Sequence, residues 1–208
     1  MSLHGAQLAT FNKNSPLEDP SHVNTLLSFW FDHTEGHKKW FKIKPAFDEE
    51  CRQWEPLVLA ARKGSLSAWG QTPDGALALL ILLDQIPRNI YRGTRQAFES
   101  DSQALELALQ SVALGMDRQV PLKCQMFFYL PIVHQESLLA QICSTGLYEG
   151  LVSRAERGSD LRRQLEGSQA EVLKHVDVIR RFGRYPKRNQ ALGRFDTSEE
   201  LEYLENEG

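Results

Sequence analysis

The chain is patterned for helices almost from end to end. Phe47, Cys51, Trp54, Val58 and Ala61 recur at steps of three and four, which places them on one face of a helix running from Pro45 towards Gly64. Pro45 suits that helix's first turn, whereas Pro56 falls inside it and should kink or split it. Thr72-Pro73-Asp74 opens the next helix with a cap, a proline at the first position and an acid at the positive helix end. The run from Ala76 to Leu83 is apolar on every side and predicts the central, buried helix. Before these, Ser21 is placed to cap a helix carrying Leu26, Leu27, Phe29, Trp30 and Phe31, with Trp40-Phe41 in the connector. After them, Ser100-Asp101-Ser102 opens a helix closed at Gly115, and Pro121 starts one with Met126, Phe127, Phe128 and Leu130. Gln135 to Arg157 reads as one long helix weakened by Gly146 and Gly150, and Ser159 to Phe182 as another, stopped by Gly183. Thr197-Ser198-Glu199-Glu200 is a capping box for a terminal helix. No run of alternating β-branched residues occurs, so no sheet is expected. The pattern predicts an all-α fold of about eight to nine helices. It forms a single domain over residues 21–208, behind an irregular lead-in at 1–20 that holds Pro16 and Pro20.

Composition narrows the class. A chain of 208 residues with 41% hydrophobic and 25% charged positions buries a proper core without staples. A net charge of -3 argues against a dedicated nucleic-acid binder. Cys51, Cys124 and Cys143 are odd in number and far apart, which speaks against a disulfide framework and for a reducing, cytoplasmic setting. No stretch reaches the ~18 apolar residues of a membrane span, and no signal peptide is recognisable. Met1-Ser2-Leu3 and Glu207-Gly208 look like remnants of an expression vector. The totals set no oligomeric state.

Against this apolar background stand three polar islands. The central run ends abruptly in Asp84-Gln85-Ile86-Pro87-Arg88-Asn89. The second, His134-Gln135-Glu136, follows Pro131, and the third runs from Arg180 to Asn189 around Gly183 and Pro186. A proline at or near each helix end is the pattern of a polar pocket built from helix termini. Asp84 follows eight apolar residues, and an unpaired buried carboxylate costs several kcal/mol, so it must find a partner. Arg88 and Arg92 are the nearest cations, which makes Asp84, with Gln85, a structural anchor. Arg88 and Asn89 lie past the proline, where side chains can project into a cleft.

His134 is an acid–base candidate, with Glu136 two residues on, or else Asp84, to orient or charge its ring. Its plainer reading is a histidine satisfied by a backbone carbonyl. His175 sits at the edge of the buried face set by Val172, Val176 and Ile179, while Asp177 is an ordinary surface partner for Arg180 and Arg181. No close-spaced ligand pair supports a metal, and no cofactor is implied. Arg180, Arg181, Arg184, Lys187, Arg188 and Arg194 fall within fifteen residues that hold no acid. Arginine forks match carboxylate and phosphate oxygens. The helix dipole accounts for Arg180 and Arg181, but not for Arg184, Arg188 and Asn189 beyond the helix. Candidate ligand-binding residues are therefore Arg88, Asn89, Arg92, Arg184, Arg188 and Asn189. Candidate catalytic residues are His134, Glu136 and His175. The ligand they suit is a small phosphate or carboxylate compound, and both an enzyme and a binding protein fit.

Taken in order, these segments resemble a bacterial family known only as domain-of-unknown-function family 924. The likeness rests on Phe29-Trp30-Phe31, Trp40-Phe41, Leu83 to Asn89 with Tyr91 and Arg92-Gly93, Tyr129-Leu130-Pro131 with His134-Gln135-Glu136, and His175 to Asn189 with Leu192-Gly193-Arg194. It covers residues 23–204. Ile86 stands where the pattern has an aromatic, Gln135 where it has serine and Lys187 where it has histidine. The last two weigh against proton transfer at those positions. The resemblance implies a tetratricopeptide-like array of antiparallel helical hairpins and no known activity. Such arrays often bind proteins, so the alternative function is an interaction module taking an acidic peptide or partner on a concave surface.

Overall fold

The most apolar stretch of the chain is also the most buried. In the computed structural model, which describes residues 10–12, 15–32, 40 and 44–207, every side chain from Ala76 to Leu83 is 5% exposed or less. The readings made above on residues 1–3, on Phe41 and on Gly208, and the lead-in before Thr10, lie outside the described residues.

Among the described residues there are nine helices and no strand. The first, α1, is Ser21–Phe31. Helix α2 joins Pro45–Cys51, a 3-10 turn at Arg52–Trp54 and Glu55–Arg62. Pro56 therefore splits this helix as expected, and it does so from the first turn of the second half, where a missing N–H costs nothing. Helix α3 joins Pro73–Leu80, a π turn at Ile81–Gln85 and Ile86–Ile90. Then follow α4 (Asp101–Ala113), α5 (Leu122–Val133), α6 (Leu138–Arg154), α7 (Asp160–Phe182), α8 (Asn189–Leu192) and α9 (Ser198–Glu207).

Local signals set most boundaries. Thr72 accepts the Gly75 N–H at 3.2 Å, and Ser159 accepts that of Arg162 at 3.1 Å. Thr197 and Glu200 close a reciprocal box at 3.2 and 2.7 Å. Gly115 and Gly183 take the left-handed backbone that ends α4 and α7. Two expectations differ. Ser21 does not cap α1: the cap position is Pro20, which has no side-chain cap bond, and Asp19 before it accepts the Ser21 N–H at 2.9 Å. The long helix expected from Gln135 to Arg157 is present but shorter: α6 runs unbroken from Leu138 to Arg154 and begins under a Ser137 cap, after a turn. The reason is the Gln141 amide, which donates to Val133 O and Gln135 O, both at 2.8 Å, and so satisfies carbonyls at the end of α5.

Packing runs in chain order. α3 lies against α1, α4 and α5; α5 lies against α4 and α6; α6 lies against α7. One hydrophobic cluster spans Phe11 to Val172. The end of the lead-in belongs to it: Phe11 is buried between His22 and Trp54, with ring centroids at 4.9 and 5.7 Å. No helix among the described residues is long and apolar enough to cross a membrane.

Candidate functional site

The site starts from one missing hydrogen. Pro87 has no N–H, so it cannot bond the carbonyl of Leu83 one turn earlier. The Ser100 hydroxyl donates to that carbonyl instead, at 2.7 Å. This brings the start of α4 against the end of α3 and sets Asp101 beside Arg88. The Arg88 fork then meets Asp101 with two bonds, of 3.0 and 3.1 Å, and also donates to Asp84 O at 2.7 Å. Its other edge lies 3.3 Å from Asp84 Oδ1. Arg88 is thus held between two carboxylates.

Asp84 sits in the π turn, where the widened backbone re-aims the side chain away from the apolar face. It is 1% exposed. Its Oδ1 lies 2.7 Å from His134 Nδ1, and its Oδ2 accepts from Gln85. Burial pushes the Asp84 carboxyl up, but Arg88 and then His134 outweigh it and hold the group well below the usual carboxylate range. Burial, and next the Arg88 charge, push His134 the opposite way from an ordinary ion-paired histidine: its affinity for a proton falls despite Asp84. His134 is therefore neutral at pH 7. Its Nδ1–H donates to Asp84, so Nε2 carries the free lone pair. Among the described residues nothing hydrogen-bonds that Nε2, and the side chain is 16% exposed.

The third island supplies the far wall. Tyr185 O–H donates to Val133 O at 2.6 Å and accepts from Gln141 at 3.0 Å, which ties the arginine loop to the ends of α5 and α6. Arg188 lies between two rings, 4.7 Å from the Tyr185 centroid and 4.9 Å from that of Phe98. Among the described residues its one ion pair is a 3.3 Å contact to Asp101, which already serves Arg88. Burial and then Arg88 push the Arg188 guanidinium below its ordinary value, with Asp101 and Glu136 only partly offsetting them. It stays charged, but in a field short of negative charge.

Not every candidate joins this cluster. Arg92 forms a two-bond pair with Asp48 at 2.9 and 2.7 Å. Arg184 does the same with Glu200, both bonds at 2.6 Å. Glu136 does not orient His134, as its spacing suggested. It accepts from Arg194 at 2.6 and 2.9 Å and from the Tyr185 N–H at 2.8 Å, and Asp84 takes the imidazole instead. Asn89 donates to Gln85 O at 3.1 Å, and Asn189, fully buried, donates to Asp196 at 2.6 Å. His175 lies edge-on to Tyr185, with centroids 5.4 Å apart. Sequence reasoning missed Asp101, Gln141 and the Tyr185 hydroxyl as members. The available signal for Asp101 was its place at the start of α4, where an acid is ordinary.

The architecture is that of an all-helical protein in which polar residues from three helix ends meet around an aspartate–histidine pair. Residues 26–208 match the family model described as "Bacterial protein of unknown function (DUF924)", and the chain belongs to that family. A solved structure of a protein of unknown function, ATU0120 from Agrobacterium tumefaciens, is similar, with 33% identity, a TM-score of 0.75, and coverage of 91% of this chain and 100% of that one. No curated protein matches the chain.

Proposed function

We propose that the chain binds a small phosphate or carboxylate compound against Arg188 and moves a proton at His134 Nε2. The observation that carries this reading is the 2.7 Å Asp84–His134 contact, which leaves the opposite ring nitrogen unbonded among the described residues and partly exposed. In this arrangement Asp84 remains ionised and fixes the tautomer. His134 accepts a proton from a ligand hydroxyl or a water beside the bound anion, and Asp84 steadies the imidazolium that results. Arg188 is the anion contact because it has the weakest internal compensation of the candidate arginines. Arg88 positions Asp84 and Asp101 rather than meeting the ligand.

The alternative, an acidic peptide on a concave surface, has less support. Arg92, Arg184 and Arg194, which would face such a partner, are each taken by an internal carboxylate. The side-by-side packing of α5, α6 and α7 is compatible with a tetratricopeptide-like hairpin array, and three cysteines outside any disulfide fit a reducing cytoplasm.

The test is a melting-temperature screen with inorganic phosphate, pyrophosphate, citrate and succinate. At least one of them raises the melting temperature of the wild-type chain, and Arg188→Met removes that rise while Arg92→Ala keeps it. If none stabilises the protein, or Arg188→Met responds as wild type does, the reading fails. His134→Asn keeps the anion response and loses any turnover found with hydroxylated anions.

A further inference from the structure

On the outer side of Tyr185 lies a groove that neither Asp84 nor His134 lines. It runs between the C-terminal half of α7, the loop carrying Lys187 and helix α9, with a volume of about 630 Å3. Small-molecule sites commonly span about 300–1,000 Å3. Its walls are aromatic. Phe182 and Tyr203 meet with centroids 5.1 Å apart and tilted by 52°, and Tyr185 stands against His175. Val178 adds an aliphatic surface.

The groove's charges mostly cancel. Lys174 pairs with Glu171 at 2.7 Å, Asp177 with Arg180 at 3.4 Å and Arg181 with Glu199 at 2.7 Å. Lys187, which also lines the groove, is different: among the described residues it has no ion pair. His175 borders the same space. Burial, followed by repulsion from His134 once that ring is protonated and from Arg188 and Lys187, against the opposing pull of Glu171, holds its ring at about 4, so it is neutral at pH 7. No described residue hydrogen-bonds it. Aromatic walls, one unpaired ammonium and one neutral imidazole form a recognisable donor set. It suits a flat ring that packs on Tyr203 and Phe182, joined to a single negative group that reaches Lys187.

We infer that this groove is a second binding site, for a ligand built of a planar ring system and one carboxylate or phosphate. It goes beyond the proton-transfer reading above, and either can fail without the other. The probes are 2-naphthoate and 2-naphthyl phosphate, titrated calorimetrically into the full chain. The controls are 2-naphthamide, which lacks the charge, and decahydro-2-naphthoate, which lacks the flat ring. Both anions are expected to bind the wild type and both controls to bind much more weakly. Lys187→Gln and Tyr203→Leu each weaken the anions by about tenfold, while Arg92→Ala, remote from the groove, leaves them unchanged. Stronger phosphate binding assigns the anionic group as phosphate, and stronger naphthoate binding assigns it as carboxylate. Lys187 is a groove-lining surface side chain whose neutralisation leaves the fold intact, so that variant decides the matter if Tyr203→Leu loosens α9. Equal binding of the amide or of the decahydro acid overturns the proposal. So does unchanged binding in Lys187→Gln. Loss in Arg188→Met with retention in Lys187→Gln overturns it as well, because the ligand then sits at the aspartate–histidine pair.

Discussion

Arg88 and Arg92 lie one helical turn apart and carry the same charge, yet their environments give them different weights. Arg88 is 20% exposed and compensates Asp84, which is 1% exposed. Truncating it leaves a buried carboxylate with only His134 and Gln85, so Arg88→Ala should cost about 3–5 kcal/mol in urea unfolding. Arg92 is 39% exposed in its pair with Asp48, and Arg92→Ala should cost about 0.2–1 kcal/mol. Equal losses would mean that burial does not separate them. The histidines set the response to acid. Both His134 and His175 bind a proton less readily in the folded chain than in the unfolded one. The unfolded chain therefore takes up protons first as pH falls through about 6.5, and stability drops from there towards pH 4. Melting temperature against pH should slope downward over that window, and His175→Gln should flatten part of the slope. Asp84 adds a further loss only below about pH 4, where its unfolded counterpart protonates.

Among the elements, α3 and α4 are joined by the Ser100 hydroxyl as well as by the Arg88–Asp101 fork. Ser100→Ala leaves the Leu83 carbonyl without its donor in a buried setting, which should cost about 1–3 kcal/mol. For a chain of this size that lowers the melting temperature by about 2–4 °C per kcal/mol. A melting temperature within error of wild type would mean that a water replaces the hydroxyl. The element boundaries that sequence reading recovered are those set within four residues: the Thr72 and Ser159 caps, the Thr197–Glu200 box and the glycine stops. The boundary it misplaced, the start of α6, depends on Gln141, six residues beyond the carbonyl of Gln135, and on a Ser137 cap followed by Ala140 rather than an acid. Asp84 was one of two carboxylates the sequence offered His134, and the choice between it and Glu136 was illegible for the same reason at greater range. Helical periodicity reports which face is buried, and it is silent on which carboxylate a histidine meets fifty residues away.

Across the whole molecule, burial partitions the three thiols. Cys51 and Cys124 are buried, Cys143 is exposed on α6, and burial pushes the Cys124 thiol up to about 11. A thiol reagent at neutral pH should label one cysteine in the native chain and three after denaturation. Native labelling of two or more would contradict the packing of α2 or α5 against the core. All-helical character and the buried central helix were legible at this scale because they follow from composition and period. The meeting of three islands was legible only as an expectation of proximity, since the partners that divide their charges, Asp48, Asp101 and Glu200, lie outside those islands. The sharing of Asp101 has a temporal side. Its second partner, Arg188, follows it by 87 positions. A chain growing from its N-terminus can close the Arg88–Asp101 clamp long before Arg188 has been made. The aspartate–histidine pair and its anchor are thus all synthesised before the arginine that would greet an anion.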